Sequence, residues 1–255
     1  MSFVKPIATK PYHQIRILEC DEPLITLPAK LFVLQDPHPY ASLSAPYGDR
    51  SPYCVRLGVL EGLILAQSYL QDFYPGWRIQ IFDAYRPIAV QQFMVDYTFA
   101  KVVQSRGIQA SHLSEAEKEA IWQEVYKFWA IPSYNPATPP PHSTGGAIDI
   151  TLVNEDDHPV DMGSPIDELS ARSYPNYYAI EHLSRLDWLG GGVDLEWAKE
   201  FHNRRQLLQQ IMLRAGFCQH PNEWWHFSMG DQLWAWTMNQ RQGTERFSAY
   251  YGAIG

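Results

Sequence analysis

Residues 142–152 read His142-Ser143-Thr144-Gly145-Gly146-Ala147-Ile148-Asp149-Ile150-Thr151-Leu152. Ile148, Ile150 and Leu152 alternate with Ala147, Asp149 and Thr151, the period of two that marks a half-buried strand, with Asp149 on its polar face. Residues 132–141, just upstream, hold five prolines. Such a stretch is neither helix nor central strand, so it predicts a stiff loop that carries the chain to His142. Gly145-Gly146 then lets the backbone turn between a histidine on the loop and an aspartate on the strand.

Outward from this centre, Trp77, Ile79 and Ile81 alternate as a second strand after the Pro75-Gly76 break, and the strand ends in Asp83-Ala84-Tyr85-Arg86-Pro87. Pro87 suits the first turn of a helix expected over about 88–103. Another helix is expected from Cys54 to about Tyr69, where the apolar positions Leu57, Leu60 and Ile64 recur at helical spacing. Ser114-x-x-Glu117 is a capping-box pattern that opens a helix through Ala120, Ile121, Val125 and Phe128. A fourth helix, about 196–215, points Phe201, Leu208, Ile211, Met212 and Ala215 inward and stops at Gly216. The last strand is Trp224 to Met229, and the first fifty residues supply arms and edge pieces such as Gln14–Leu18 and Lys30–Leu34. Helices and strands that do not alternate regularly imply an α+β fold, helices packed on a small, mainly antiparallel sheet. One domain spanning 1–255 is expected.

The chain has 255 residues, 45% hydrophobic and 19% charged, the balance of an ordinary globular protein. Lys plus Arg is 20 and Asp plus Glu is 28, a formal charge of −8, which argues against a phosphate-neutralising surface and hence against nucleic acid as a partner. Cys20, Cys54 and Cys218 are far apart and odd in number, so neither a disulfide framework nor a thiolate metal site is indicated. No apolar run reaches membrane-spanning or signal-peptide length. The expected location is cytoplasmic, with no membrane partner. Gly190-Gly191-Gly192 lacks the following Lys-Ser/Thr of a phosphate loop.

Two segments combine metal ligands with strand ends: His142 to Asp149, and Glu223-Trp224-Trp225-His226. Two imidazoles and a carboxylate suit zinc and leave a position open for water, the arrangement of a hydrolytic site. Glu223, flanked by two tryptophans, is placed to act as a proton carrier, because an apolar setting raises a carboxyl pKa. Residues three apart on a straight strand face opposite ways, so Glu223 belongs in the loop before the strand and His226 on the strand itself. Arg86 at a strand end can hold a developing oxyanion or a substrate carboxylate; its plain alternative is an ion pair with Asp83. Taken singly, a histidine is more often a surface or hydrogen-bonded residue and an aspartate beside glycines a turn former. Asp161 and Asp167 are as readily turn formers as partners of a histidine ligand. His13, His38, His112, His158, His182, His202 and His220 show no ligand spacing, and the nine tryptophans read as core.

Together these motifs give a specific resemblance. Asp83-Ala84-Tyr85-Arg86-Pro87, His142-Ser143-x-Gly145-x-Ala147-Ile148-Asp149, Asp161-Met162-Gly163, Asn203-Arg204-Arg205, Arg214-Ala215-Gly216-Phe217 and Glu223-Trp224-Trp225-His226 resemble, in order and spacing, the VanX-type D-alanyl-D-alanine dipeptidases, in a zinc peptidase family that also holds D,D-carboxypeptidases. The resemblance implies a small α+β fold with the metal on an antiparallel sheet, one Zn2+ per chain held by His142, Asp149 and His226, Glu223 as general acid/base, and Arg86 as stabiliser of the tetrahedral transition state. It implies free D-Ala-D-Ala as substrate. The other readings are a D,D-carboxypeptidase or L,D-endopeptidase acting on longer peptides, and a non-catalytic D-amino-acid peptide binding protein. Two departures stand out: Pro140 occupies the place of a serine two residues before the first histidine ligand, with Ser143 the nearest substitute, and residues 177–197 form a long segment suited to a lid.

Overall fold

The computed structural model describes residues 10–126, 129–168, 170–179 and 194–254. Strands β1 (Leu24–Thr26) and β3 (Cys54–Arg56) pair antiparallel as a separate two-stranded sheet. The main sheet has β2 (Val33–Leu34), β4 (Arg78–Asp83), β5 (Ala147–Val153), β6 (Cys218–Gln219) and β7 (His226–Ser228) in the order β2-β4-β5-β7-β6. Only the edge strand β2 runs parallel to its neighbour; the other pairings are antiparallel. Helices α1 (Leu57–Phe73), α2 (Ile88–Ser105), α3 (Glu115–Val125), α4 (Leu195–Arg214) and α5 (Gln232–Gln242) complete an α+β fold. Among the described residues no helix is long and apolar enough to cross a membrane.

One face of the sheet and two helices make the larger core. Ile79, Ile81, Ile148, Ile150, Leu152 and Phe227 pack with Val59, Leu63, Ala66 and Leu70 of α1 and with Leu208, Ile211 and Met212 of α4. A second cluster joins α2 and α3 to the N-terminal arm through Val90, Val95, Ile121, Val125, Tyr40, Tyr47 and Trp129. Each valine, leucine, isoleucine, methionine or phenylalanine among them contributes about 1.5–3 kcal/mol when fully removed from water.

The structure corrects several expectations. Cys54–Arg56 is strand, drawn into pairing by β1, so α1 begins at Leu57. Its buried stripe is Val59, Leu63, Ala66 and Leu70, whereas Leu57 and Ile64 are exposed; the helix is apolar nearly all round, and spacing alone does not single out the inner face. β5 is not half-buried. It lies between β4 and β7 and is covered on both faces, Asp149 included. The last strand covers only His226–Ser228. Other signals hold: Ser114 and Glu117 form the reciprocal capping box, and Gly216, at φ +97°, ends α4. Phe128, Gly190-Gly191-Gly192 and most of the 177–197 segment lie outside the described residues.

Buried arginines fasten the loops to this frame. Arg205 on α4, 1% exposed, donates to the carbonyls of Met162 at 2.7 Å, Arg172 at 2.8 Å and Tyr174 at 2.9 Å, and to Ser164 Oγ at 3.0 Å. Its guanidinium lies over the Tyr178 and Trp224 rings. Arg56 bonds the carbonyls of Thr144, Glu22 and Gly252 and the Glu19 carboxylate, joining the turn after His142 to β3 and the C-terminal segment. Because removing one partner leaves buried carbonyls without donors, Arg205→Met is expected to lower unfolding free energy by roughly 2–4 kcal/mol. Urea denaturation measures this; a loss under about 0.5 kcal/mol, the scale of an ordinary surface change, would show the clamp to be dispensable.

Candidate metal centre and active-site cavity

The site starts from a fault in a strand register. Ile81 of β4 pairs with Ile150 of β5, but two residues further along β4, Asp83 pairs with Asp149, only one residue back along β5. Phe82 is the extra residue, a bulge that turns Asp83 from the core face of Ile79 and Ile81 to the opposite face. Asp149 in turn pairs with His226 of β7. Asp83, Asp149 and His226 therefore stand abreast on three adjacent strands.

His142 reaches this row from the other side. It sits on a 3-10 turn, Pro141–Thr144, whose last residue is held by Thr144 Oγ1 donating to the Pro141 carbonyl. Gly145 follows in the left-handed region at φ +72°, and a Cβ there would meet Leu24 at 2.6 Å; at Gly146 a Cβ would meet the Met229 carbonyl at 2.6 Å. Both glycines are thus required for the turn that lets loop histidine and strand aspartate converge.

His142, Asp149 and His226 are all buried, and their donor atoms lie within 4.8 Å of one another. His142 Nε2 is 3.2 Å from His226 Nδ1 and 3.3 Å from Asp149 Oδ2, and His226 Nδ1 is 3.0 Å from Asp149 Oδ1. The outer nitrogens are engaged elsewhere. His142 Nδ1 donates to the Ala84 carbonyl at 2.7 Å, which fixes the proton there and turns the Nε2 lone pair inward. His226 Nε2 faces Ser228 Oγ at 3.4 Å, and that hydroxyl donates to Asp231 at 2.8 Å. Two lone pairs and a carboxylate oxygen aimed at one point, with each imidazole braced from behind, is a donor set that suits a cation. Burial pushes the Asp149 pKa up, but the two histidines outweigh it and hold the carboxyl well below its usual range.

Glu223 lies in the loop before β7, as the strand geometry requires, with Oε2 3.8 Å from His226 Nδ1 and Oε1 3.7 Å from His220 Nδ1. Burial, only partly offset by the charge of His226, raises its pKa to about 7. Of the two flanking tryptophans, Trp225 lines the cavity, while Trp224 turns into the core and donates to Ser164 Oγ.

Arg86, 5% exposed, makes the ion pair with Asp83 that its sequence position allows. Nε and Nη2 donate to Asp83 Oδ2 at 3.1 and 2.7 Å, and Nη1 donates to Gln91 at 2.8 Å. Its guanidinium stands over Tyr40 and Trp129, with Nη2 3.7 Å from Asp149. On the far side of Asp83, the amides of Tyr40 and Ala41 both donate to His38 Nδ1, so His38 presents Nε2–H to Asp83 Oδ1 at 3.0 Å. Arg86 is anchored and still borders the cavity.

That cavity has a volume of about 450 Å³ and is bordered by His142, Asp149, His226, Glu223 and Arg86, with Asp167, Trp129, His220, Lys10 and Tyr12 completing its walls. The sequence reading missed His38, Tyr40, His220, Lys10 and Tyr12, because long-range contacts alone bring them here. Asp167 is the half-buried acceptor of the Tyr40 hydroxyl at 2.7 Å, and desolvation with the nearby Asp149 charge raises its pKa to about 7; Asp161 instead caps the Gly163 amide at the surface. Ser143 does not take the place of the serine replaced by Pro140, since its hydroxyl donates to the Arg86 carbonyl at 2.7 Å outside the cavity lining.

Residues 34–244 match the model of the M15 peptidase family described as D-ala-D-ala dipeptidase. A D-alanyl-D-alanine dipeptidase of Synechocystis sp. is 51% identical over 255 residues, 100% of both chains. D-alanyl-D-alanine dipeptidases of Escherichia coli and Enterococcus faecium are 32% and 27% identical over 34% and 62% of this chain and 37% and 64% of theirs. A solved vancomycin resistance D,D-pentapeptidase VanY variant in complex with Zn(II) aligns with a TM-score of 0.40 and 15% identity, covering 91% of this chain and 96% of that one. By its match over most of the chain and its full-length relative, the protein belongs to the D-alanyl-D-alanine dipeptidase family of M15 peptidases.

Proposed function

We propose that the protein hydrolyses free D-Ala-D-Ala to two D-alanines, with one zinc ion held by His142, Asp149 and His226, Glu223 as general acid/base and Arg86 as transition-state stabiliser. The observation that carries the proposal is the convergence of three buried donors on the wall of a cavity that also presents Glu223 and Arg86. When bound, zinc supplies a Lewis acid that polarises an amide carbonyl and makes water a usable nucleophile near neutral pH.

The chain's own groups do the rest. Glu223, with a pKa near 7, takes the proton of the attacking water on a carboxylate oxygen and delivers it to the leaving nitrogen, so that the amine departs uncharged. Arg86, locked on Asp83 and Gln91, offers a fixed positive charge where negative charge develops, without reorganising during the reaction. Asp167 gives a reason for a free amino terminus: a half-buried carboxylate with a raised pKa is the complement of a substrate ammonium, whose charge favours its ionised form. An N-acylated peptide lacks that charge and cannot favour the ionised form. Three free thiols agree with a reducing, cytoplasmic setting.

Released D-alanine, measured for the zinc-loaded protein with D-Ala-D-Ala and in parallel with N-acetyl-D-Ala-D-Ala, tests the proposal. Chelator-sensitive release from the free dipeptide is expected; release mainly from the blocked peptide would move the protein to the carboxypeptidases, and release from neither would refute the activity. Glu223→Gln is expected to keep one zinc per chain and lose nearly all turnover, whereas His226→Ala loses both. Equal zinc loss in the two, read by elemental analysis, would contradict the division of roles. Arg86→Ala should lower kcat/KM by roughly 10²–10³-fold, about 3–4 kcal/mol. An unchanged rate would leave Arg86 only its ion pair with Asp83.

A further inference from the structure

The cavity wall next to Glu223 is built by the N-terminal segment. Pro11–Gln14 form a 3-10 turn that starts just after Lys10, whose carbonyl accepts from the His13 amide at 3.0 Å. Tyr12 is 6% exposed, and Gln232 of α5 donates both to the Ile15 carbonyl at 2.6 Å and to the Ala137 carbonyl at 3.0 Å, tying this segment to the proline-rich loop. The turn is therefore a fixed wall, and Lys10 and Tyr12 both face the cavity. Among the described residues no hydrogen bond or ion pair is made by the Lys10 ammonium. Burial lowers its pKa despite the opposing charge of Glu223, so an ionic partner there would be favourable.

A dipeptide brings one carboxylate, and the cavity offers two side chains that are always or usually cationic, Lys10 and Arg86. Arg86 is already held by Asp83 and Gln91 beside the metal ligands. Glu223 hands its proton to the leaving nitrogen, and the carboxylate of the leaving residue is only two bonds from that nitrogen. Lys10 borders the cavity with Glu223, and its charge acts on both Glu223 and His220. Asp167, the complement of the ammonium, lies with Tyr40 and Arg86.

We propose that Lys10 is a specificity-determining residue that binds the free carboxylate of the leaving residue, so that Lys10 and Asp167 together fix the direction in which the dipeptide lies across Glu223. The inference rests on the dipeptidase reading above.

The test compares D-Ala-D-Ala with its C-terminal amide in the unaltered protein, Lys10→Met and Lys10→Arg. Loss of the Lys10 charge alters Glu223 equally for both substrates, so the acid-to-amide ratio of kcat/KM isolates the carboxylate contact. The unaltered protein is expected to prefer the acid by roughly 10- to 100-fold, the worth of one charge-assisted hydrogen bond. Lys10→Met should lose most of this preference, largely through KM, and Lys10→Arg should retain it. A preference unchanged in Lys10→Met overturns the inference. If the unaltered protein cleaves neither compound, the dipeptidase reading fails. Calorimetry on zinc-loaded Glu223→Gln then decides the carboxylate contact: acid bound tighter than amide only while Lys10 is present sustains it, and equal binding with and without Lys10 overturns it.

Discussion

The site depends on the extra residue in β4. With regular pairing through Phe82, a side chain at Asp83 would fall on the same face as Ile79 and Ile81, inside the apolar core. The bulge places it instead beside Asp149 and His226, where it holds Arg86 with one oxygen and receives His38 on the other. The arginine anchor and the orientation of the loop bearing His142 follow from that shift, since the Ala84 carbonyl just beyond the bulge is what fixes the His142 tautomer, while the β5–β7 register sets Asp149 beside His226.

So many ionisable groups in one buried place are tolerable only because each has an assigned partner. Burial raises the pKa of Asp83, but Arg86, His38 and His142 lower it further and keep the carboxyl ionised. Asp149 is held ionised by the two histidines. Glu223 and Asp167, for which burial outweighs the neighbouring positive charges, are the two carboxyls pushed to about 7. The proposed chemistry uses this division: the carboxylates held ionised are fixed structure, and the two near 7 are where protons and substrate charge are handled.

Much of this was legible in the sequence. The strand at 147–152, the metal-ligand types at 142, 149 and 226, the loop position of Glu223 and the strand-end arginine all follow from local period, turn chemistry and residue type. The Phe82 bulge was not legible, because a one-residue register shift depends on the partner strand and leaves no mark in the alternation of β4 itself. His38, His220 and Lys10 were equally hidden: nothing in their own neighbourhoods distinguishes them, and they meet the site only through contacts far along the chain. The inner face of α1 was not legible either: Leu60 packs against the core, but Leu57 and Ile64 share an apolar helix with Val59, Leu63, Ala66 and Leu70, and the choice between faces is made by what packs against it.

Zinc K-edge X-ray absorption on the protein loaded with one equivalent of zinc tests the central claim most directly, because it reads the ligands without reference to any substrate. Nitrogen and oxygen scatterers are expected at about 2.0–2.2 Å with the outer-shell pattern of two imidazoles, lost in Asp149→Ala and His226→Ala. Sulfur scatterers near 2.3 Å, or a spectrum unaltered by those substitutions, would show that the three converging side chains are not the metal site.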